Sequence, residues 1–207
     1  MGSFGFPTLF KLHKMKKNVL FIALVVALSF QAKAQKGLMA GAKAPMFSGV
    51  DQNGKTVNLK DALKAHRSVV VFFYRGQWCP YCNKHIKELQ DSLQMLTSKD
   101  AYVIGVTPET KENIDKTIKK TSAGFSIVQD KDDRIMKAYG VNFMMDDATF
   151  TKYKGYGINL ETNNGNNRHT LPVPATYIID KSGKIKYIHF DPDYKKRASV
   201  KLLLSQL

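Results

Sequence analysis

The chain has 207 residues, of which 43% are hydrophobic and 11% aromatic, and it carries a formal net charge of +15. This composition describes a globular chain with enough apolar material for one sizeable core, so a single folded domain is the default expectation. Its lysines are scattered and have no interleaved aromatic platform, which argues against a nucleic-acid-binding protein. Both cysteines belong to one C-x-x-C motif, so a scaffold stapled by several disulfides is excluded.

The N-terminal stretch MKKNVLFIALVVALSFQAKA has the three parts of a secretory signal peptide: two lysines, an apolar run, and small residues in an A-x-A pattern. We therefore predict a signal peptide over residues 1–34, in which residues 1–14 are an upstream extension. Residues 35–207 are predicted to form an exported, periplasmic domain. The apolar run is short for a transmembrane helix, so an uncleaved membrane anchor is the alternative.

The next elements lead to the cysteines. The pattern predicts a short strand over Gly54–Leu59 and a short helix over Lys60–His66. A continuous apolar, β-rich run over Val69–Tyr74 is typical of a strand buried on both faces. It stops at Gly76, and the sequence WCPYC follows.

The cysteine motif is predicted to lie at the start of a helix. Pro80 is tolerated best in a first helical turn, and the helix period continues through Ile86, Leu89, Leu93 and Leu96. A helix start favours an anion, so we expect Cys79 to be an exposed nucleophile with a lowered pKa. Cys82, one turn later, is predicted to be the buried resolving thiol.

Two other interpretations of the motif remain open. The pair could form an inert structural disulfide, although so small a loop constrains the unfolded chain little. With His85 the motif also reads C-x2-C-x2-H, which suits zinc, but a closed zinc site needs a fourth ligand. Neither His169 nor His189 lies in a second paired motif. We expect no metal and no cofactor.

A second β-rich run, Ala101–Val106, follows the active-site helix. A strand, helix and strand in this order predict a right-handed parallel crossover, which brings the ends of the two strands together. Glu109 would then lie near Cys79. It could shuttle protons there, but the sequence favours an exposed acid at a helix start.

The rest of the chain is predicted to alternate between helices and strands, with one long interruption. Residues 141–169 lack a clear period and read as an irregular insertion that either lines the site or has no role. The other predicted elements are helices over Lys111–Thr121, Asp133–Tyr139 and Tyr194–Leu204, and strands over Phe125–Gln129, Leu171–Asp180 and Ile185–Phe190.

Several stretches together carry a family resemblance. They are AGAKAPMF with DQNGKTVNL, then FYRGQWCPYC with NKHIKELQ, and finally LPVPATYIIDKSGKI with HFDPDYKKR. From about Gly41 to the C-terminus the chain resembles the peroxiredoxin-like branch of the alkyl hydroperoxide reductase and thiol-specific antioxidant family. This resemblance implies a thioredoxin-like α/β fold, in which helices flank a mixed central sheet.

The resemblance also implies supporting residues. It places Pro174, preceded by Val173, opposite the cysteines as a cis-proline that leaves the backbone free to pair with an extended substrate, whereas a trans proline would merely start a strand. Trp78 would belong to the substrate side of the motif. The threonine of the family's Pro-x3-Thr-x2-Cys loop is replaced by Gly76. Arg75 could substitute for its hydroxyl, although a surface arginine is the favoured interpretation.

Three functions follow from these expectations. In a peroxidase, Cys79 would attack a hydroperoxide and Cys82 would resolve the sulfenic acid as a disulfide. In a thiol-disulfide oxidoreductase, the same pair would act on protein disulfides. A binding module without turnover is the third possibility. Either enzyme would need a thiol reductant protein outside the cytoplasm.

Overall fold

The computed structural model describes residues 1–2 and 37–207. Residues 37–207 lie within one compact unit. Apart from residues 1–2, the predicted signal peptide lies outside the described residues, and so does its cleavage site. Within the described part of the chain, no helix is long and apolar enough to cross a membrane.

The described residues form short strands and helices in alternation. The strands are β1 (Ser48–Val50), β2 (Thr56–Asn58), β3 (Ser68–Phe73), β4 (Ala101–Thr107), β5 (Ser126–Gln129), β6 (Asn142–Met144), β7 (Thr170–Pro172), β8 (Ala175–Asp180) and β9 (Ile185–Phe190). The helices are α1 (Leu59–Ala65), α2 (Pro80–Asp91), α3 (Leu93–Ser98), α4 (Lys111–Thr121), α5 (Arg134–Ala138), α6 (Asp147–Gly155), α7 (Leu160–Asn164) and α8 (Val200–Gln206).

A five-stranded mixed sheet forms the centre, in the order β5-β4-β3-β8-β9. Strand β3 pairs with β4 in parallel and with β8 in antiparallel orientation. Phe73, at the end of β3, is in register with Val106 of β4, so the segments that follow both strands emerge at the same edge. The predicted thioredoxin-like fold, with a mixed sheet flanked by helices, is confirmed.

Strand β3 is apolar throughout because both of its faces are covered. Val69, Val71 and Phe73 contribute to one apolar cluster, whereas Val70 and Phe72 contribute to the cluster on the opposite face. Successive side chains of a strand point to opposite faces, which explains the continuous apolar run. Both cysteines belong to the second cluster, so the site lies on that face.

Two predicted helices are shorter than the sequence indicated. The active-site helix ends at Asp91, and a second short helix follows after Ser92. The C-terminal helix begins at Val200 rather than at Tyr194, because Ser199 caps it by accepting a hydrogen bond from the Leu202 backbone. Residues 191–199 are therefore not helical, and they pack near the cysteines.

The sequence predicted that the insertion at residues 141–169 is irregular, and this prediction was wrong. The insertion contains β6, α6 and α7, and its helices begin at the side-chain caps Asp146 and Asn159. Its apolar residues form a small core of their own, which also contacts Trp78. The period was unclear because the helices are short and α6 has no buried residue. The insertion therefore packs against the site.

Candidate active site

Cys79 occupies the junction between β3 and helix α2. It is the N-cap residue of α2, Pro80 occupies the first turn, and the Cys79 N–H donates to the Gly76 carbonyl at 3.1 Å. The predicted helix start is present, but the prediction of an exposed Cys79 was wrong, because both Cys79 and Cys82 are fully buried. Both are free thiols.

Arg75 reaches the sulfur of Cys79 from inside the protein. Its Nη2 lies 3.5 Å from Cys79 Sγ, and its Nη1 donates to the Tyr153 hydroxyl at 3.3 Å. The guanidinium carbon is 3.9 Å from the ring centre of Tyr194 and 5.2 Å from that of Trp78. The expectation of a surface arginine was wrong, because aromatic rings from three segments enclose the side chain, which is only 5% exposed.

These contacts shift the pKa values of the two thiols in opposite directions. Hydrogen bonding from Cys82, together with the charge and hydrogen bond of Arg75, lowers the pKa of Cys79 to about 5 against the opposing effect of burial. Burial, and then the neighbouring Cys79, raise the pKa of Cys82. The nucleophile in thiol chemistry is the thiolate. The arrangement therefore provides a Cys79 thiolate next to a protonated Cys82.

Glu109 is buried directly beneath the active-site loop, whereas the sequence favoured an exposed acid. Its Oε2 accepts the Gln77 N–H at 2.8 Å, and burial raises the pKa of Glu109 to about 8. A Cβ on Gly76 would lie 2.5 Å from both Glu109 Oε1 and Trp78 Nε1. The loop thus has glycine at the family's threonine position because these two side chains fill the space beside it.

The expected cis-proline is absent. No cis peptide bond occurs among the described residues, so the bond between Val173 and Pro174 is trans. The Val173 N–H donates to the Val141 carbonyl at 2.7 Å, and Ala175 begins β8 opposite Phe73. Pro174 therefore starts the strand in the ordinary way, and the insertion already occupies the backbone that a substrate was expected to pair with.

Arg197 is a site residue that the sequence analysis missed. Its Nη2 lies 3.6 Å from Cys82 Sγ, although it is far from the cysteines in sequence. It stands in a segment predicted to be helical, and only the packing of that segment brings it to the site. The fragment HFDPDYKKR was a family signal but did not indicate which residue would reach a cysteine.

His85, which the sequence offered as a possible zinc ligand, is buried in the core. Its imidazole is hydrogen-bonded to the Ala198 backbone, and burial, with the charge of Arg197, lowers its pKa to about 3. No cluster of three or more histidine, cysteine or acidic residues suited to a metal ion occurs within the described residues.

A protonated thiol and a thiolate, buried together at a helix start on this mixed sheet, define a redox-competent dithiol protein of the thioredoxin fold. The AhpC/TSA family model matches residues 40–188. The chain therefore belongs to the AhpC/TSA family.

Individual relatives agree with this assignment. The chain is 28% identical to the peroxiredoxin Q, chloroplastic, of Oryza sativa subsp. japonica over 168 residues, which cover 80% of this chain and 66% of the rice protein. The chain thus spans just under two thirds of that relative. It is also 28% identical to the peroxiredoxin Bcp of Escherichia coli (strain K12) over 154 residues, which cover 74% of this chain and 86% of that protein.

Among solved structures, peroxidoxin BcpB from Mycobacterium tuberculosis has a similar fold. It superimposes with a TM-score of 0.63 at 16% sequence identity and covers 82% of this chain and 96% of its own. At this identity the likeness concerns the fold alone.

Proposed function

We propose that this protein is a thiol-dependent peroxidase that reduces hydroperoxides through Cys79 and Cys82. The observation that carries the proposal is Arg75, a buried guanidinium with no carboxylate partner among the described residues and with Nη2 3.5 Å from Cys79 Sγ. A buried charge is costly unless it is paired. The Cys79 thiolate is the anion available to it, and a thiolate is the species that attacks a peroxide.

The reaction balances with these two residues. The Cys79 thiolate attacks the terminal OH oxygen of the hydroperoxide, and the O–O bond breaks. The alkoxide, or hydroxide in the case of hydrogen peroxide, takes up a proton from solvent and leaves as an alcohol or water. Cys79 is then a sulfenic acid. The Cys82 thiol loses its proton and attacks the Cys79 sulfur, so that the S–S bond forms and hydroxide leaves as water. A thiol reductant then returns the disulfide to two thiols.

Burial of the cysteines favours a small substrate over a protein disulfide. Both sulfurs are fully buried, so a hydroperoxide needs only a narrow opening, whereas a protein disulfide needs a docking surface. The backbone before Pro174 offers no free edge for such docking, because the Val173 N–H already donates to the Val141 carbonyl. Both features support a peroxide as the substrate.

A side-by-side assay tests the proposal. The protein would be given hydrogen peroxide, an alkyl hydroperoxide and a reducible protein disulfide, each under single-turnover conditions. We expect one of the hydroperoxides to oxidise Cys79 at least about tenfold faster than the protein disulfide does, because burial hinders the larger substrate. Cys79→Ser should abolish the reaction, whereas Cys82→Ser should stop at a sulfenic acid. Faster reaction with the protein disulfide would favour the alternative oxidoreductase.

We also propose that the protein acts after export, with a thiol reductant protein outside the cytoplasm as its partner. The support is the segment MKKNVLFIALVVALSFQAKA, with its lysines, apolar run and A-x-A pattern. Mass spectrometry of the protein recovered from an exporting cell should find a mature chain that begins near Gln35. An intact residue 15–34 segment in the membrane fraction would replace secretion with anchoring.

A further inference from the structure

The segment at residues 191–198, between β9 and α8, covers the cysteine-bearing end of helix α2. The ring of Tyr194 lies 5.7 Å from that of Tyr81, centre to centre, and 3.9 Å from the Arg75 guanidinium carbon. Ala198 is buried in the same apolar cluster as the cysteines. The segment is therefore part of the site, although the sequence predicted most of it as an ordinary helix.

Arg197 is fixed by this segment and directed at one sulfur. Its Nη1 donates to the carbonyl oxygens of Lys196, at 2.9 Å, and Tyr194, while its Nη2 lies 3.6 Å from Cys82 Sγ. It has no carboxylate partner among the described residues. Its charge is therefore available to an anion at Cys82, just as that of Arg75 is available at Cys79.

We propose that Arg197 is a second catalytic arginine, which stabilises the thiolate of Cys82 while that residue attacks the oxidised Cys79. This proposal rests on the proposed peroxidase function. It divides the reaction between two cations: Arg75 serves the attack on the peroxide, and Arg197 serves the resolution.

The division follows from how charge moves during the reaction. Before oxidation, the negative charge is on Cys79, and both burial and that charge hold Cys82 in the protonated form. When Cys79 becomes a neutral sulfenic acid, its charge disappears. Cys82 must then lose its own proton to attack, and it lies in a buried position where an unpaired anion is unfavourable. Arg197 is the cation that contacts its sulfur.

The titratable groups around this pair come from several elements. Besides the two arginines and Cys79, they are Tyr74, which follows β3, His85 on α2 and His189 on β9. Burial lowers the pKa of both histidines and raises that of Tyr74, so all three are uncharged near neutral pH. Arg197 is then the nearby group whose removal should shift the pH dependence of resolution.

Stopped-flow single turnover with a hydroperoxide separates the two steps. In Arg197→Met, formation of the Cys79 sulfenic acid, trapped with dimedone, should keep its native rate, whereas disulfide formation should slow by about tenfold or more and require a higher pH. Arg197→Lys should recover part of the lost rate. The slower resolution should also leave more sulfinic acid at Cys79, detected by mass spectrometry.

Lys196→Met is the matched control, because this neighbouring cation is mostly exposed and pairs with Asp191 at the surface. It should resolve at the native rate. Native resolution in Arg197→Met across the pH range would overturn the proposal. Equal slowing of both steps, or equal slowing in the two variants, would also overturn it, because either result would indicate a general disturbance.

A further measurement does not depend on peroxide as the substrate. In Cys79→Ser, where Cys82 is the remaining thiol, the pH dependence of its reaction with a small aromatic disulfide reports the pKa of Cys82 directly. Adding Arg197→Met should raise that pKa, and an unchanged pKa would refute the role of Arg197. If the peroxide reaction failed while this shift was observed, the proposed function would be wrong and the pairing of Arg197 with Cys82 would stand.

Discussion

Arg75 shows how a single side chain can determine the chemistry of this site. It is buried among Trp78, Tyr153 and Tyr194, and among the described residues it has the Cys79 sulfur where a carboxylate would usually be. Arginine stays charged even in such surroundings. Position 76 has no hydroxyl, and the preceding residue, Arg75, places a permanent charge beside Cys79 instead.

Replacing Arg75 by methionine should raise the pKa of Cys79 by about one unit or more, because both a charge and a hydrogen bond to the thiolate are lost. Titration of the thiolate by its ultraviolet absorbance, together with the pH dependence of alkylation, would measure the shift. Arg67→Met is the matched control, since Arg67 is exposed. A native pKa in Arg75→Met would mean that Cys82 and the helix start stabilise the thiolate without Arg75.

Gly76 provides a second test at the residue scale. Alanine at this position would place its Cβ 2.5 Å from both Glu109 Oε1 and Trp78 Nε1, so the loop must shift. We expect Gly76→Ala to lower the free energy of unfolding by about 1–3 kcal/mol, the usual effect of overpacking. Urea unfolding followed by the fluorescence of Trp78, the single tryptophan of the chain, would measure it.

Gly155→Ala is the control, because a Cβ there meets nothing within 4 Å. Gly155 is the last residue of helix α6, and alanine is favoured over glycine in a helix. The free energy of unfolding of Gly155→Ala should therefore be unchanged or slightly higher. Equal stability of the two variants would mean that the active-site loop adapts freely.

At the scale of elements, the sequence predicted well what depends on local patterns. The strand at Val69–Tyr74, the helix start at Cys79 and the helix at Lys111–Thr121 follow from apolar runs, a proline and a helix period, and the structure contains all three with small shifts of the ends. The apolar run predicts the strand correctly because the core covers both faces of this central strand.

What could not be predicted depends on contacts between distant segments. Arg75 and Glu109 are buried, and Arg197 is partly buried, because the insertion and the C-terminal segment pack around the active-site loop. A charged residue in an irregular stretch ordinarily lies at the surface, so the sequence favoured exposure for Arg75 and Glu109. The pairing of the Val173 N–H with the Val141 carbonyl likewise joins distant segments, and no local pattern reveals it.

Helix α6 offers a test of the role of the insertion. Its Tyr153 accepts a hydrogen bond from Arg75 and packs edge-on against Trp78, with ring centres 5.6 Å apart. Tyr153→Ala should loosen the enclosure of Cys79 and increase its alkylation rate by about tenfold, because local opening becomes easier. Tyr156→Ala is the control, since Tyr156 is 69% exposed. Equal rates in the two variants would limit the insertion to a structural role.

Over the whole molecule, Cys79 and Glu109 oppose each other in the dependence of stability on pH. Folding lowers the pKa of Cys79 from an ordinary value of about 8.5 to about 5, so its contribution grows as the pH rises and is lost as the pH falls through 5. Folding raises the pKa of Glu109 from about 4.3 to about 8, so its contribution is lost as the pH rises.

Single variants should separate these effects between pH 5 and pH 8. Relative to the native protein, Glu109→Gln should become more stable as the pH rises, and Cys79→Ser should become less stable, each by up to about 1.4 kcal/mol per pH unit. Chemical unfolding at several pH values would measure both slopes. Variants that follow the native curve in parallel would show that neither group changes its proton binding on folding.

The pairing of Arg75 with the Cys79 thiolate also affects how easily a disulfide between the two cysteines can be reduced. The guanidinium stabilises the dithiol form alone, because a disulfide carries no charge for it to bind. Anything that favours the thiolate therefore raises the reduction potential of the pair and makes the disulfide a stronger oxidant. A thiol reductant of modest reducing power would then suffice to reduce the disulfide, because the charge that stabilises the Cys79 thiolate also stabilises the reduced form of the pair.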